Sequence, residues 1–543
     1  MAVFRTSQKS TDSWLVVAAL FLMGIATARI VRASTVFNAT LDEPWHLGCG
    51  MEWLDRGRYT EDAEQPPLAR IFGALLPYLA GERSHGNSLP WIEGDAILGK
   101  RPHYDRVLQL GRIGILPLFW VAGALVFLWA HDHGGAFAGL MAVAMFTATP
   151  AMLAHGGVIT TDMAGTGFVT AAFYYSMRWW RKPAHRSAVV FGVALGLAAV
   201  SKFSALVFLP ASWLAVSIVR GLQGRCVVQL RPQSSGRALR TVPVALGVAV
   251  VLVWAAYRFS FGHVGILGLR LPAPRFFIGL KMLWEHNLRG HAAYLLGRRS
   301  QFGFWYYFPT VLAVKTPLGM IALASWAAYR ACRGLLAWAV TPLAFCAGIL
   351  LVCMMSRIDI GVRHILPVYC GLSVLSGAFA ADALSAAKRR PIAAAGVAAL
   401  LVWDFTASGL AHPDYLAYTN ELVGTEPEKI LADSDLDWGQ DMKRLGAYLR
   451  TTGATGVTFM PFDGSFADAD PSFPRILPMD PQHPAPGWNA VSISAWKVKR
   501  FGVSGPVWPD AEKAPIRIGR GILLWRFPSP MSGITAGLPG GRP

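Results

Sequence analysis

Charge is what this sequence has least of. Asp, Glu, Lys and Arg make up 15% of its 543 residues, while 53% are hydrophobic; a soluble globular chain carries roughly 25% charge. A purely water-soluble protein is excluded on that ground. Acidic residues are the scarcer sign, 32 against 50 Lys and Arg, giving a formal net charge of +18. The basic excess forms no single face but sits in short clusters between apolar runs. That pattern orients loops across a membrane and gives no footprint for nucleic acid. Cysteine is sparse too: Cys226, Cys332, Cys346, Cys353 and Cys370 lie in or beside apolar runs, and none of the six follows residue 411. The C-terminal part therefore carries no disulfide, even in an oxidising compartment. No internal repeat of fixed period is present.

Long apolar runs are what the chain has. Runs near the length needed to cross a bilayer fall at 13–32, 108–130, 135–153, 162–180, 187–201, 203–220, 241–257, 309–328, 335–355, 364–382 and 391–411, about eleven spans. The first follows Arg5 and Lys9, so a cleavable signal ending at Ala26-Thr27-Ala28 is one reading; its length favours a retained anchor. With a cytoplasmic N-terminus the basic loops Arg178–Arg186, Arg220–Arg240, Arg330–Arg333 and Lys388–Arg390 all fall inside, as positive-inside orientation requires. Residues 33–107, 154–161, the turn at Lys202, 258–308, 356–363 and everything after 411 then lie outside. Two outer segments, Leu68–Leu79 behind Pro66-Pro67 and 274–288, read as interfacial helices. The expected fold is an all-α polytopic membrane bundle over residues 1–411 with a small extracytoplasmic α/β domain over 412–543. In that domain the pattern predicts strands at 429–433, 456–461, 490–497 and 520–526, a helix over 438–450 and a proline-rich loop from Pro471 to Pro486.

Ionisable groups in or beside a span cost on the order of 3 kcal/mol each at a helix centre, so those retained usually have work to do. Asp42, Glu43 and His46 follow the first span, and His155 and Asp162 flank the next outer turn. Lys202 interrupts a pair of short spans, Lys315 lies about two turns inside an outer end, and Arg357, Asp359, Arg363 and His364 fill a further outer turn. The expected topology puts all of them on one face. A transporter would instead gather such groups near the midplane between repeated halves. Acids set among cations suit a reaction that deprotonates a neutral nucleophile and releases an anion, such as glycosyl transfer from a lipid phosphate. Asp42 and Glu43 could instead complement a helix dipole, and Asp162 could cap the helix that begins at Met163. Lys202 and Lys315 have no acid adjacent in sequence and call for an anion; snorkelling to headgroups is the plainer alternative. Arg363 could hold a phosphate bidentately. Trp305-Tyr306-Tyr307-Phe308 reads as an interfacial aromatic belt. Asp433-Ser434-Asp435-Leu436-Asp437 lacks the glycine and distal glutamate of a calcium loop, and Asp437 with Gln440 reads as a capping box.

Asp42-Glu43-Pro44-Trp45-His46, Gln65-Pro66-Pro67-Leu68-Ala69, Thr160-Thr161-Asp162-Met163-Ala164, Lys202-Phe203-Ser204-Ala205, Trp305-Tyr306-Tyr307-Phe308-Pro309 with Lys315-Thr316-Pro317, and Gly361-Val362-Arg363-His364-Ile365-Leu366-Pro367 occur in that order. Together they resemble the bacterial branch of the dolichyl-phosphate-mannose protein mannosyltransferase superfamily, which includes the lipid A aminoarabinose transferases. The resemblance spans roughly residues 13–420. It implies a GT-C fold and an inverting glycosyltransferase that takes a sugar from a polyprenyl phosphate at the outer face of a bacterial inner membrane and passes it to a lipid, glycan or protein hydroxyl. It matches Asp42 to the first-loop acid thought to act as base, with Glu43 its neighbour, and Asp162 to the second acidic position. His46, His155, Lys202, Lys315, Arg357, Arg363 and His364 would serve substrate binding. No cofactor is required by the pattern; a divalent cation stays open. The tail motifs His412–Asn420 and Asp435-Leu436-Asp437-Trp438-Gly439-Gln440-Asp441 look like those of a less characterised bacterial subgroup, with no role supplied. A transporter or flippase of a lipid-linked sugar is the alternative reading.

Overall fold

The computed structural model describes residues 2–222, 235–265, 268–498, 507–510 and 516–528. Cys226 and most of the Arg220–Arg240 loop lie outside the described residues. The first helix, α1 (Ala2–Ser34), runs without a break through Ala26-Thr27-Ala28. The outer loop after it folds into α2 (Glu43–Asp55), α3 (Leu68–Leu79) and α4 (Pro90–Leu98). α3 begins where the Pro66-Pro67 pair predicts and turns Ala69, Arg70, Gly73 and Ala74 inward while Leu79 is exposed. α5 (His103–Thr147) covers two expected spans; Gly134 and Gly135 leave helical geometry, Gly135 at φ +70°, and divide it there. The positive φ is one that glycine adopts without steric cost.

The bundle continues through α6 (Pro150–His155), α7 (Asp162–Arg181), α8 (His185–Ala199), α9 (Ala205–Leu222) and α10 (Ser235–Ala256). The loop over 258–308 holds two hairpins that hydrophobic patterning missed, β1 (Phe261–Val264) with β2 (Leu269–Pro272) and β3 (Ala293–Leu295) with β4 (Arg298–Ser300). Between them lies the expected interfacial helix, α11 (Pro274–Arg289). The 309–328 run is not one straight span. It is α12 (Tyr307–Lys315) and α13 (Leu318–Cys332), bent by 118° at Thr316-Pro317, where proline cannot donate to a continuing helix and restricts the residue before it. Then follow α14 (Val340–Cys353), α15 (Leu366–Ser385) and α16 (Pro391–Leu410). Helices thus stand at every expected span. Among the described residues, five are singly long and apolar enough to cross a membrane, six if the bent pair counts as one. The chain is a multi-pass membrane protein.

Beyond α16, residues 411–441 run back across the bundle with little regular structure before α17 (Met442–Thr451). A five-stranded sheet follows, in the order β6 (Arg475–Leu477), β5 (Gly456–Met460), β7 (Gly487–Ser492), β9 (Ile522–Phe527) and β8 (Ile516–Ile518). The pairs β6–β5 and β5–β7 are parallel; β7–β9 and β9–β8 are antiparallel. The short helices α18 (Ser465–Ala469) and α19 (Ile493–Val498) complete this region. Four expectations need correction. The strand expected at 490–497 ends at Ser492 and gives way to α19, and β6 lies inside the loop expected from Pro471 to Pro486. Residues 429–433 form no strand, since the segment is tied down turn by turn, starting with a 3-10 turn at Pro427–Lys429. The 438–450 helix starts only at Met442, because Gly439 adopts φ +85° and interrupts any earlier start.

One hydrophobic core joins the two parts. Tyr415, Leu431, Leu436, Ile493 and Trp525 belong to the same buried cluster as Phe119, Phe146 and Tyr369 of the bundle. Burying each such side chain is worth about 1.5–3 kcal/mol, so the tail is packed on the bundle rather than tethered to it.

Candidate active site

Asp42 directly precedes α2, but its side chain makes no capping bond there. It reaches instead across the molecule to Arg363, Oδ2 accepting from a guanidinium nitrogen at 2.7 Å. The Asp42 side chain remains 31% exposed and that of Arg363 10%. The Arg363 guanidinium also lies over the indole of Trp438, 4.2 Å from the ring centroid. Asp162 opens α7 without capping it; its Oδ1 accepts from Lys202 Nζ at 2.6 Å, with side chains 2% and 14% exposed. Lys202, without an acid nearby in sequence, thus receives one from the fold.

His155 ties these pairs together. Its imidazole is held down to about 4, first by burial and then by the positive fields of Arg363, Lys315 and Lys202, while Asp162 pulls the other way. Its ring lies 6.2 Å from that of Trp438. His364, next to Arg363, stacks on Phe308 at 6.3 Å. Asp42, His155, Asp162, Lys202, Arg363 and His364, from four stretches of chain, thus lie within one another's electrostatic reach. Asp162 Oδ2, Arg363 Nε, His155 Nδ1 and Thr160 Oγ1 are buried there without a hydrogen-bond partner. A buried polar group left unpaired costs about 1–3 kcal/mol, so each of these atoms calls for a partner.

The remaining expected residues occupy other roles. Glu43 is buried, its carboxylate paired with Arg112 at 2.7 and 2.9 Å and accepting the N–H groups of Thr40 and Ile159. It bolts the first loop, α5 and the 154–161 turn to one another. His46 accepts from Arg70 Nε at 3.0 Å and is pushed down to about 3 by burial and then by Arg70, against Asp42, Asp162 and Asp62. Arg70 in turn binds Asp62 and Tyr59. Burial would raise Asp62, but Arg70 and the donors of Glu64 and Trp45 hold it below the usual carboxylate range. Lys315 is fully buried and donates to the carbonyls of Leu416 and Asp435, both at 2.6 Å. Arg357 is exposed and lies apart, near Asn287, Leu288 and Phe302. Asp359 accepts the Phe304 N–H and is raised to about 7 by burial.

Sequence reading passed over Arg112, Arg70 and Trp438. Arg112 could have been found by the same rule that found Lys202, an ionisable group inside an apolar run. Asp437 and Gln440 form no capping box: Asp437 accepts from Gly439, Ser492 and Ser494, and Gln440 folds onto Trp438 and Leu436.

Residues 21–261 match the family model described as dolichyl-phosphate-mannose-protein mannosyltransferase. No curated protein gives a significant match. Among solved structures, ArnT from Cupriavidus metallidurans bound to undecaprenyl phosphate is similar at 12% identity, over 93% of this chain and 97% of that one, with TM-score 0.50. The apo state of the same protein aligns at 16% identity over 77% and 68%, with TM-score 0.49. The archaeal oligosaccharyltransferase AglB from Archaeoglobus fulgidus, in complex with an inhibitory peptide and a dolichol-phosphate, aligns at 13% over 88% and 69%, with TM-score 0.44. The alignment over nearly the whole of both chains carries the fold: this is a GT-C architecture.

Proposed function

We propose that this GT-C chain transfers a sugar from a polyprenyl monophosphate to an acceptor hydroxyl, with inversion, at the outer face of a bacterial inner membrane. The observation that carries the reading is that the Asp42–Arg363 and Asp162–Lys202 pairs lie in one another's electrostatic field, with Asp162 Oδ2 and Arg363 Nε buried and without a hydrogen-bond partner. The two acids differ in access. Asp42 is about a third exposed and is the one an incoming hydroxyl reaches; Asp162 is enclosed and bound to Lys202. Asp42 is assigned as general base. Its carboxylate takes the acceptor proton as the acceptor oxygen attacks the anomeric carbon, and the bond from that carbon to the phosphate oxygen breaks. Polyprenyl phosphate leaves with the electron pair, its new charge met by Arg363 and Lys202. A single displacement of this kind inverts the anomeric centre. Asp162 keeps Lys202 charged and aimed, and neutral His155 and His364 supply ring nitrogens for sugar or phosphate oxygens. Lys315, occupied by two carbonyls, supports the site from beneath. Residues 1–411 form the transferase part in this reading and 412–543 an extracytoplasmic part.

The test uses purified chain in lipid nanodiscs with polyprenyl-phosphate sugars and hydroxyl acceptors. Release of free polyprenyl phosphate with a glycosylated acceptor of opposite anomeric configuration is the expected result. Movement of an intact lipid-linked sugar across the bilayer with no cleavage would instead establish a flippase and remove the base role of Asp42.

A further inference from the structure

Trp438 touches Arg363 and the residue that precedes Asp42. Its indole lies against the Arg363 guanidinium, and its carbonyl accepts the N–H of Leu41, the residue before Asp42, at 3.0 Å. Next to it, Gly439 O accepts from Asn38 Nδ2 at 2.8 Å. The same segment grips the loop that carries Arg363. Asp435 Oδ1 accepts the Val362 N–H at 2.9 Å, and the Ser434 hydroxyl bonds the Ile360 carbonyl. Gly361, at φ +130°, approaches Ser434 so closely that a Cβ there would collide with its hydroxyl. Trp438 itself is fully buried, so its ring is not a face on which a sugar could stack.

We propose that tail residues 434–439 are a positioning part of the transfer site, with Trp438 setting the orientation of the Arg363 guanidinium towards Asp42 and the carrier phosphate. Stacking on an aromatic face leaves the in-plane N–H donors of an arginine free for a carboxylate or phosphate, and the attraction strengthens when both groups are out of water. The loop carrying the base and the loop carrying the cation thus take their spacing from a third segment, which lies in the tail. The inference rests on the transfer reading above.

Full-length chain in nanodiscs is titrated with polyprenyl monophosphate and assayed for kcat and KM, as wild type, Trp438→Phe and Trp438→Ala, each with Arg363 intact and with Arg363→Met. Trp438→Ala should weaken carrier binding about tenfold with Arg363 present and less than about twofold in the Arg363→Met background, whereas Trp438→Phe stays within about threefold of wild type. Equal losses in both backgrounds, or a Phe variant as impaired as Ala, would overturn the positioning role. Should Trp438→Ala not fold, Trp438→Leu supplies the same comparison with the bulk largely kept. Wild-type protein that binds no polyprenyl phosphate overturns the transfer reading itself; wild-type binding with additive variants overturns only the part given to Trp438.

Discussion

The acids of the candidate site and those of the tail segment 435–437 are held differently. At the site and beside it, Asp42, Glu43, Asp62 and Asp162 each meet a cationic side chain, from Arg363, Arg112, Arg70 and Lys202. In the tail segment, Asp435 and Asp437 accept from backbone N–H groups and hydroxyls, and burial raises both above the usual carboxylate range, against the Lys315 charge in the case of Asp435. A carboxylate held by a cation keeps its charge, and the cation can be shared with an incoming phosphate. Access then divides the cation-held acids: Glu43, Asp62 and Asp162 are enclosed, and of the four only Asp42 is open to an incoming group.

The sharpest break in that comparison lies between neighbours. Asp42→Asn should lower transfer about a thousandfold with the melting temperature nearly unchanged, measured by product formation in nanodiscs. Arg112→Ala should act the opposite way, because it strands the enclosed Glu43 charge: a loss of about 3–5 kcal/mol in stability, read by thermal unfolding. Lys202→Ala should destabilise on a similar scale by leaving Asp162 unpaired, and adding Asp162→Asn should restore folding but not carrier binding. Arg363→Ala exposes a difference between the two pairs. Asp42 is open enough to be rehydrated, so polyprenyl-phosphate affinity should fall about tenfold or more with little loss of stability. In the tail the expected effect is on the pH dependence of stability. Burial lifts Asp441 to about 7, with Arg444 opposing and Asp414 and Asp437 adding to it. The folded state then holds a proton that the unfolded chain releases near 3.8, so stability is greatest at acid pH and declines as pH rises from about 4 to about 7. Asp95 and Asp359, also raised to about 7, contribute to the same slope. Asp441→Asn should flatten it, as followed by melting temperature across that range.

Much of this was legible in the sequence. Periodicity and run length located the helices, Pro66-Pro67 placed the start of α3, and the ordered motifs pointed to the GT-C architecture. The expectation of a shared site rested on loop alternation; the structure pairs Asp42 with Arg363 and Asp162 with Lys202. Sequence alone could not say which acid meets which base. Asp162 and Lys202 are 40 residues apart and Asp42 and Arg363 are 321 apart, and no local pattern encodes such pairings. Lys315 looked available for phosphate because its partners are main-chain carbonyls of the tail, which every residue has and none advertises. The tail motif failed to read for a related reason: a left-handed Gly439 and a row of buried aspartates resemble a capped helix until the surrounding donors are known.

The bond from Asn38 to Gly439 spans 401 residues, and it has a consequence for biosynthesis. The ribosome makes the first acid of the pocket at the beginning and the segment that orders it near the end. A growing chain holds that acid and its future partner on unconnected loops, so the proposed transfer site is complete only once the final stretch has been made and docked.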